Sequence, residues 1–212
     1  MLAVVDTQAS NLASVLGAMQ RVGVSAHVTR RAADIDKASA IILPGVGAFE
    51  QAMNSLMTNG LVEALRRRVL VDKVPIFGIC LGMQLLGDSS EEYGDHPGLG
   101  ILSGKTVRLQ PRSIEFRVPN IGWCDTRPTR RGLLFPNDAD VRSFYYLHSY
   151  HMVCSNDADR AAAIAYSGHD ITVAVERKNI FGVQFHPEKS QDAGLDLLDR
   201  VFTQLLAFRQ AS

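Results

Sequence analysis

The first half of the chain alternates two patterns. Short runs that are apolar at every position give way to longer stretches in which apolar residues recur every three or four places. "LAVV", just after Met1, is a run of the first kind. Residues 11–22 are of the second, with Leu12, Val15, Leu16, Met19 and Val22 at helical spacing. They predict a strand and then a helix. The alternation returns in "AIILPG" followed by residues 49–71, a helix with a break expected at Asn59-Gly60, and again in "VPIFGIC" followed by "LGMQLLG". Strands rich in Val and Ile with no polar face, separated by helices, predict a parallel sheet covered on both sides.

From Gly100 onward the texture changes. "KTVRL", "SFYYLHSYHMV", "ITVAVE" and "IFGVQFH" read as strands, so the second half is expected to be strand-rich and to extend the core as a mixed sheet. Residues 193–208 place Leu195, Leu198, Val201, Phe202, Leu205 and Leu206 on one face, the signature of an amphipathic closing helix. No internal repeat, charge block or low-complexity linker divides the 212 residues. The expected fold class is α/β, one domain over residues 1–212 with a central sheet flanked by helices.

Composition narrows the function classes. An apolar share of 46% and a charged share of 21% are those of an ordinary soluble domain, and no segment has the apolar length of a membrane span. The opening apolar run meets Asp6 at once and lacks a basic leader, so it reads as a strand and not as a signal-peptide core. Lys+Arg and Asp+Glu each total 22, which argues against a nucleic-acid or membrane partner. Cys80, Cys124 and Cys154 are an odd number at long spacings and fit neither a disulfide framework nor a zinc pattern. Reduced thiols in a cytoplasm, with no metal and no cofactor, are the expectation.

In open parallel sheets, ligands collect beyond the carboxyl ends of the strands, which directs attention to the loops after "LPG", "GIC" and "FHP". "GICLG" is a Gly-x-Cys-x-Gly elbow, the cysteine counterpart of the strand-to-helix turn that presents serine in hydrolases. Gly78 and Gly82 would let the chain pass close to its neighbours while Cys80 takes a strained conformation. The helix that follows aims its N-terminus at the sulfur and favours thiolate. Taken alone, the motif serves a buried structural cysteine equally well. "FGVQFHPEKS" supplies a partner: a strand ending at His186, a proline that turns the chain, and Glu188 placed to reach back to one imidazole nitrogen and leave the other for the sulfur. A strand-end histidine satisfied by backbone is the alternative. His27, His96, His148, His151 and His169 have weaker claims, since none is followed so directly by a carboxylate. "LPGVGAF" can point the amides of Gly45, Val46 and Gly47 into the site as oxyanion donors, together with that of Leu81 beside the nucleophile; a plain turn is the alternative there.

With all three loops in view, the chain closely resembles the class I glutamine amidotransferases, and within them the glutaminase subunits of imidazole glycerol phosphate synthases. The resemblance runs almost end to end through "DTQASNLASV", "LPGVGAFEQAM", "GICLGMQLL" with "SEE" after it, "GLGILSGKTV", "VPNIGW", "YYLHSY" and "GVQFHPEKS". It implies glutamine hydrolysis through a thioester on Cys80. His186 protonates the departing ammonia and then activates water, while Glu188 holds the imidazole. Gln84 and the backbone of His148, Ser149 and Tyr150 match positions that grip glutamine. The implied partner is a barrel-shaped cyclase subunit in a heterodimer. It receives ammonia out of bulk water and splits N'-(phosphoribulosyl)formimino-AICAR-ribonucleotide to imidazole glycerol phosphate and AICAR in histidine biosynthesis. Asn120, Trp123, Tyr145 and Lys189 match positions at that contact, although residue type alone favours ordinary core packing for Trp123. The chain departs from the family pattern at Gln8 and Ser10, where glycines are usual, at Asn120, where histidine is usual, and at Cys124, where asparagine is usual. A glutaminase serving another synthase, a stand-alone cysteine hydrolase and a silent scaffold are the rival readings.

Overall fold

The computed structural model describes residues 1–8 and 11–208. The first half runs β1 (Leu2–Val5), α1 (Leu12–Arg21), β2 (His27–Thr29), α2 (Ala32–Ile35), β3 (Ala40–Gly45), α3 (Phe49–Thr58), α4 (Leu61–Arg66), β4 (Ile76–Cys80) and α5 (Leu81–Leu85). The second half runs β5 (Ser89–Ser90), β6 (His96–Pro97), β7 (Gly104–Arg108), β8 (Asn120–Pro128), β9 (Arg142–His148), β10 (Tyr150–Cys154), β11 (Arg160–Tyr166), β12 (His169–Arg177), β13 (Ile180–Val183) and α6 (Gln191–Ala207).

Nine strands form one sheet in the order β2-β1-β3-β4-β13-β12-β11-β8-β9, and β10-β7-β5-β6 form a smaller one. From β2 to β13 the neighbours are parallel; from β13 to β9 they are antiparallel. The apolar runs lack polar alternation because both faces are covered. Leu2, Val4, Ile42, Phe77 and Ile79 pack with α1 and α6, whereas Ala3, Val5, Ile41, Leu43 and Ile76 pack with α3, α4 and α5.

The helix expected over residues 49–71 breaks where anticipated: Asn59 caps α3, and Gly60 adopts φ 65°, a left-handed conformation that glycine takes without steric cost. Beyond α4 the chain widens into a π-helical turn over Arg67–Val71. "SFYYLHSYHMV" is two strands and not one: β9 pairs with β8 in the large sheet, β10 pairs with β7 in the small one, and the chain crosses between sheets at Ser149. Three strands of the large sheet carry too weak a sequence signal to be read. β11 is alanine-rich, β8 holds Gly, Asp and Pro, and β2 has three residues. The closing helix starts at Gln191 rather than Ala193. Leu206 is 46% exposed, and Leu197 joins the core instead.

The three cysteines are unpaired thiols. Among the described residues, no helix is long and apolar enough to cross a membrane, and no His, Cys, Asp and Glu group could hold a metal ion.

Candidate active site

Parallel strands β1, β3, β4 and β13 lie side by side, so the loops after them share one crevice at their carboxyl ends. Cys80 is the last residue of β4 and Leu81 the first of α5, and the bend between them holds Cys80 at φ 53°, ψ −110°. That is a costly conformation for a residue with a side chain. Its neighbours explain how it is held. A Cβ on Gly82 would sit 1.7 Å from the carbonyl oxygen of Leu43, and one on Gly78 would sit 2.7 Å from the oxygen of Gly82 and the nitrogen of Met83. The elbow therefore closes only with glycine at both positions.

Past β13 the chain is tied down residue by residue. The Gln184 amide donates to Val173 O at 2.8 Å and the His186 amide to Tyr145 O at 2.9 Å. Pro187 then begins a 3-10 turn, Pro187–Lys189, that folds Glu188 back beneath the imidazole. His186 Nδ1 donates to Glu188 Oε1 at 2.8 Å, and both side chains are buried. Ser190 braces the turn: its hydroxyl donates to His186 O at 2.6 Å and accepts from Tyr145 N at 2.9 Å. With Nδ1 protonated, Nε2 is the free nitrogen; it is buried and has no hydrogen-bond partner among the described residues. Burial presses the His186 pKa down, but interactions with the Cys80 sulfur and the Glu188 carboxylate outweigh it and raise the value from 6.5 to about 10. The raised value favours the imidazolium form, the counter-charge that a thiolate needs.

Asn11 is the member that sequence reasoning missed. Its Nδ2 donates to Glu188 Oε1 and lies 3.4 Å from His186 Nδ1. It stands in the loop after β1, at the same end of the sheet as the other three, and that position was the available signal. The loop is anchored at Asp6, which takes two hydrogen bonds from Arg30, from Nε at 2.8 Å and from Nη2 at 2.6 Å, and accepts from the Gln8 amide at 2.8 Å. Gln8 has φ 63°, a left-handed conformation that is costly for a residue with a side chain. Ser10 lies outside the described residues.

A cavity of about 260 Å³ opens onto the sulfur. Cys80, Leu81, Gln84, Val46, Gly47, His148, Ser149, Tyr150 and His186 all line it, so the structure brings together most of the residues singled out from the sequence. Gly47 has φ 100°, a conformation that requires glycine. Gly45 is not among the lining residues. It ends β3 paired with Cys80, where a Cβ would press on Leu81 Cβ at 3.1 Å. Glu92, from "SEE", also lines the cavity and was not anticipated; its Oε2 accepts from the Phe49 amide at the start of α3 at 2.6 Å.

His148 donates from Nδ1 to Tyr150 O at 2.8 Å, which leaves Nε2 to accept from Asn120 Nδ2 at 3.1 Å. Burial is the main reason its pKa falls from 6.5 to about 4. The unfolded chain therefore binds a proton that the folded chain refuses between those values, and stability is lost as pH falls from 6.5 through 4. A depression of this size corresponds to about 3 kcal/mol. Urea midpoints across that range should decline in the parent and decline less in His148→Asn; parallel slopes would show that the acid sensitivity arises elsewhere, for example at His151, which burial also lowers to about 4.

The residues expected at a partner contact divide. Trp123 and Tyr145 are directly opposite on β8 and β9, with rings edge to face at 6.1 Å, and Lys189 Nζ stands 6.0 Å from the Tyr145 ring. Trp123 is 48% exposed, and Ile121 and Leu147, the next pair on that face, are exposed too. Asn120 instead turns inward to His148, with its Nδ2 3.8 Å from Cys124 Sγ. Cys124 is half-buried, and burial raises its pKa.

A family model described as class-I glutamine amidotransferase matches residues 3–205. Imidazole glycerol phosphate synthase subunit HisH 2 of Pseudomonas aeruginosa is 41% identical over 197 residues, covering 93% of this chain and 96% of that one. Subunit HisH of Moorella thermoacetica is 43% identical over 197 residues, covering 93% and 91%. Subunit HisH 1 of a Campylobacter jejuni strain is 37% identical over 199 residues, covering 94% and 98%. Among solved structures, PurLQS from Thermotoga maritima matches with a TM-score of 0.71 at 19% identity, covering 98% of this chain and 97% of that one. The glutaminase domain of Trypanosoma brucei CTPS with bound acivicin matches with a TM-score of 0.61 at 16% identity, covering 95% and 93%. Those two likenesses speak for the fold alone. The family match spans nearly all of the chain, and its relatives agree with it along almost their whole lengths: the chain belongs to the class-I glutamine amidotransferases.

Proposed function

We propose that the chain is the glutaminase subunit of an imidazole glycerol phosphate synthase and that Cys80, His186 and Glu188 carry its chemistry. The observation that carries this reading is the joining of the ends of β4 and β13, where a cysteine on a strained elbow shares a cavity with an imidazole backed by a buried carboxylate. Cys80 Sγ attacks the side-chain carbonyl carbon of glutamine. The oxyanion so formed is met by amides of Val46, Gly47 and Leu81. His186 gives its proton to the departing ammonia, leaving a thioester; Nε2 then takes a proton from the water that splits the thioester to glutamate. Glu188, held by Asn11, fixes the ring throughout. The cavity is small for a drug-sized ligand and suits a free amino acid. Gln84, His148, Ser149 and Tyr150 are its gripping wall, and the whole chain acts as one such domain, in the cytoplasm.

The ammonia passes to a cyclase subunit. Three things support this partner: the relatives are named as subunits of that synthase, the outer face of the β8–β9 ribbon exposes Ile121, Trp123 and Leu147 beside Tyr145, and Lys189 adds a cation at its edge. Free ammonia at neutral pH is largely protonated and no nucleophile, so a dry transfer has a chemical reason. The test is co-purification with the cyclase followed by glutaminase assay with and without the cyclase and its ligand. Turnover should rise in the complex, and Trp123→Ala should weaken association by about tenfold or more, as for other interface tryptophans. Glutaminase activity indifferent to the cyclase would instead identify a stand-alone hydrolase.

A further inference from the structure

Gln184 follows β13 two positions before His186 and is completely buried, yet the reaction as described gives it nothing to do. Its orientation follows from a chain of hydrogen bonds whose polarity is fixed at one end. Tyr150 O is a main-chain carbonyl and can only accept; it receives His148 Nδ1 at 2.8 Å and Gln84 Nε2 at 3.0 Å. Gln84 is thereby set with its amino group inward, and the same Nε2 donates to Gln184 Oε1 at 2.9 Å. With its oxygen so engaged, Gln184 must turn its own NH2 the other way. That group lies 3.5 Å from Cys80 Sγ, an ordinary separation for N–H donation to sulfur. The sulfur is also 3.9 Å from Leu147 O, which can only accept. The thiol therefore has a partner for its proton in Leu147, and the thiolate has a donor in Gln184.

We propose that Gln184 is a positioning residue for the nucleophile: its side-chain amide donates to Cys80 Sγ, favours the thiolate and holds the sulfur in place, with the direction of that donation dictated by Tyr150 O through Gln84. The inference rests on Cys80 being the nucleophile and deepens that reading. Hydrogen bonding to a charged form favours that form, and bonds to ionised groups are stronger than neutral ones. Because Gln84 belongs to the glutamine-gripping wall, the same amide pair links that wall to the attacking atom. The titratable groups that share the cavity with the sulfur are His186, His148, Tyr150 and Glu92, with Glu188 behind His186. Substitution at Gln184 changes none of them.

Gln184→Met keeps the length of the side chain and removes the donor. In the complex with the cyclase, carboxamidomethylation of Cys80 by iodoacetamide is followed by mass spectrometry as a function of pH. The midpoint for Cys80 should rise by about one pH unit, which lowers the rate at neutral pH about tenfold and leaves the alkaline plateau at the parent value. The kcat/KM for glutamine should shift to higher pH by the same amount. Superimposed alkylation profiles in a folded variant overturn the proposal, and so does a loss of activity that is constant across pH, which is what a packing defect gives. A second measurement needs no substitution at 184. In protein labelled with 15N-glutamine, one side-chain amide signal should move with the Cys80 titration and cease to do so in Cys80→Ala; if no glutamine amide follows the sulfur, the proposal falls. Retained glutamine turnover in Cys80→Ala would remove the reaction itself. Superimposed profiles alongside an inactive Cys80→Ala remove only the part given to Gln184.

Discussion

Cys80→Ala and His186→Ala are each expected to lower glutamine-dependent synthesis by the cyclase complex by at least about a hundredfold, the scale on which members of comparable catalytic sets act. Ammonia-dependent synthesis by the same complexes should persist, because ammonia supplied from solution bypasses the thioester. The contrast between the two assays matters more than either loss. A variant that merely unfolded, or no longer docked, would change both rates if docking supports the cyclase, whereas loss of the nucleophile or of its proton carrier changes one. The two substitutions should not multiply when combined, since sulfur and imidazole act on one reaction coordinate. Glutamine-dependent turnover near the parent level in either variant would refute the assignment of the chemistry to this cavity.

The largest structural effect is expected at Gly82. Alanine there would place a carbon 1.7 Å from Leu43 O, a main-chain atom of β3 with no rotamer to relieve the clash. Either the elbow opens or β3 and β4 separate, and both undo the bend that carries Cys80. Gly82→Ala should lose more than about 3 kcal/mol in urea unfolding, at the upper end of what overpacking costs. Glutaminase activity should be lost along with stability. Gly17→Ala provides the comparison: it stands in the middle of α1 with no atom within 4 Å of the added carbon, and it should be neutral or slightly stabilising through helix propensity. Equal stabilities for the two variants would show that the close approach under the elbow does not hold the site together.

What could be read from the sequence tracks how local each determinant is. The βα alternation of the first half was legible because a strand buried on both faces and a helix buried on one leave different apolar periods. The elbow was legible because three residues, Gly78, Cys80 and Gly82, satisfy one steric requirement within a single turn. Glu188 was legible because Pro187 folds it back onto its near neighbour His186. The antiparallel half was read less well. β11 is held by its neighbours on both sides and so tolerates a run of alanines, and the division of "SFYYLHSYHMV" between two sheets depends on which strands lie beside each part, a matter of pairing over long sequence separations. Asn11 and Gln184 escaped for the same reason. The partners that would give each a role, Glu188 for Asn11 and Gln84 and Cys80 for Gln184, come from distant parts of the chain.

Tyr145 does two things at once, and they face opposite ways. Its ring stands beside Trp123 on the outer surface, while its main-chain oxygen and nitrogen grip the His186 amide and the Ser190 hydroxyl. A subunit docked there, as proposed above, would bear on the same peptide units that hold His186. Under the partner reading proposed above, the outer face of the ribbon and the backbone that holds His186 are thus one residue apart.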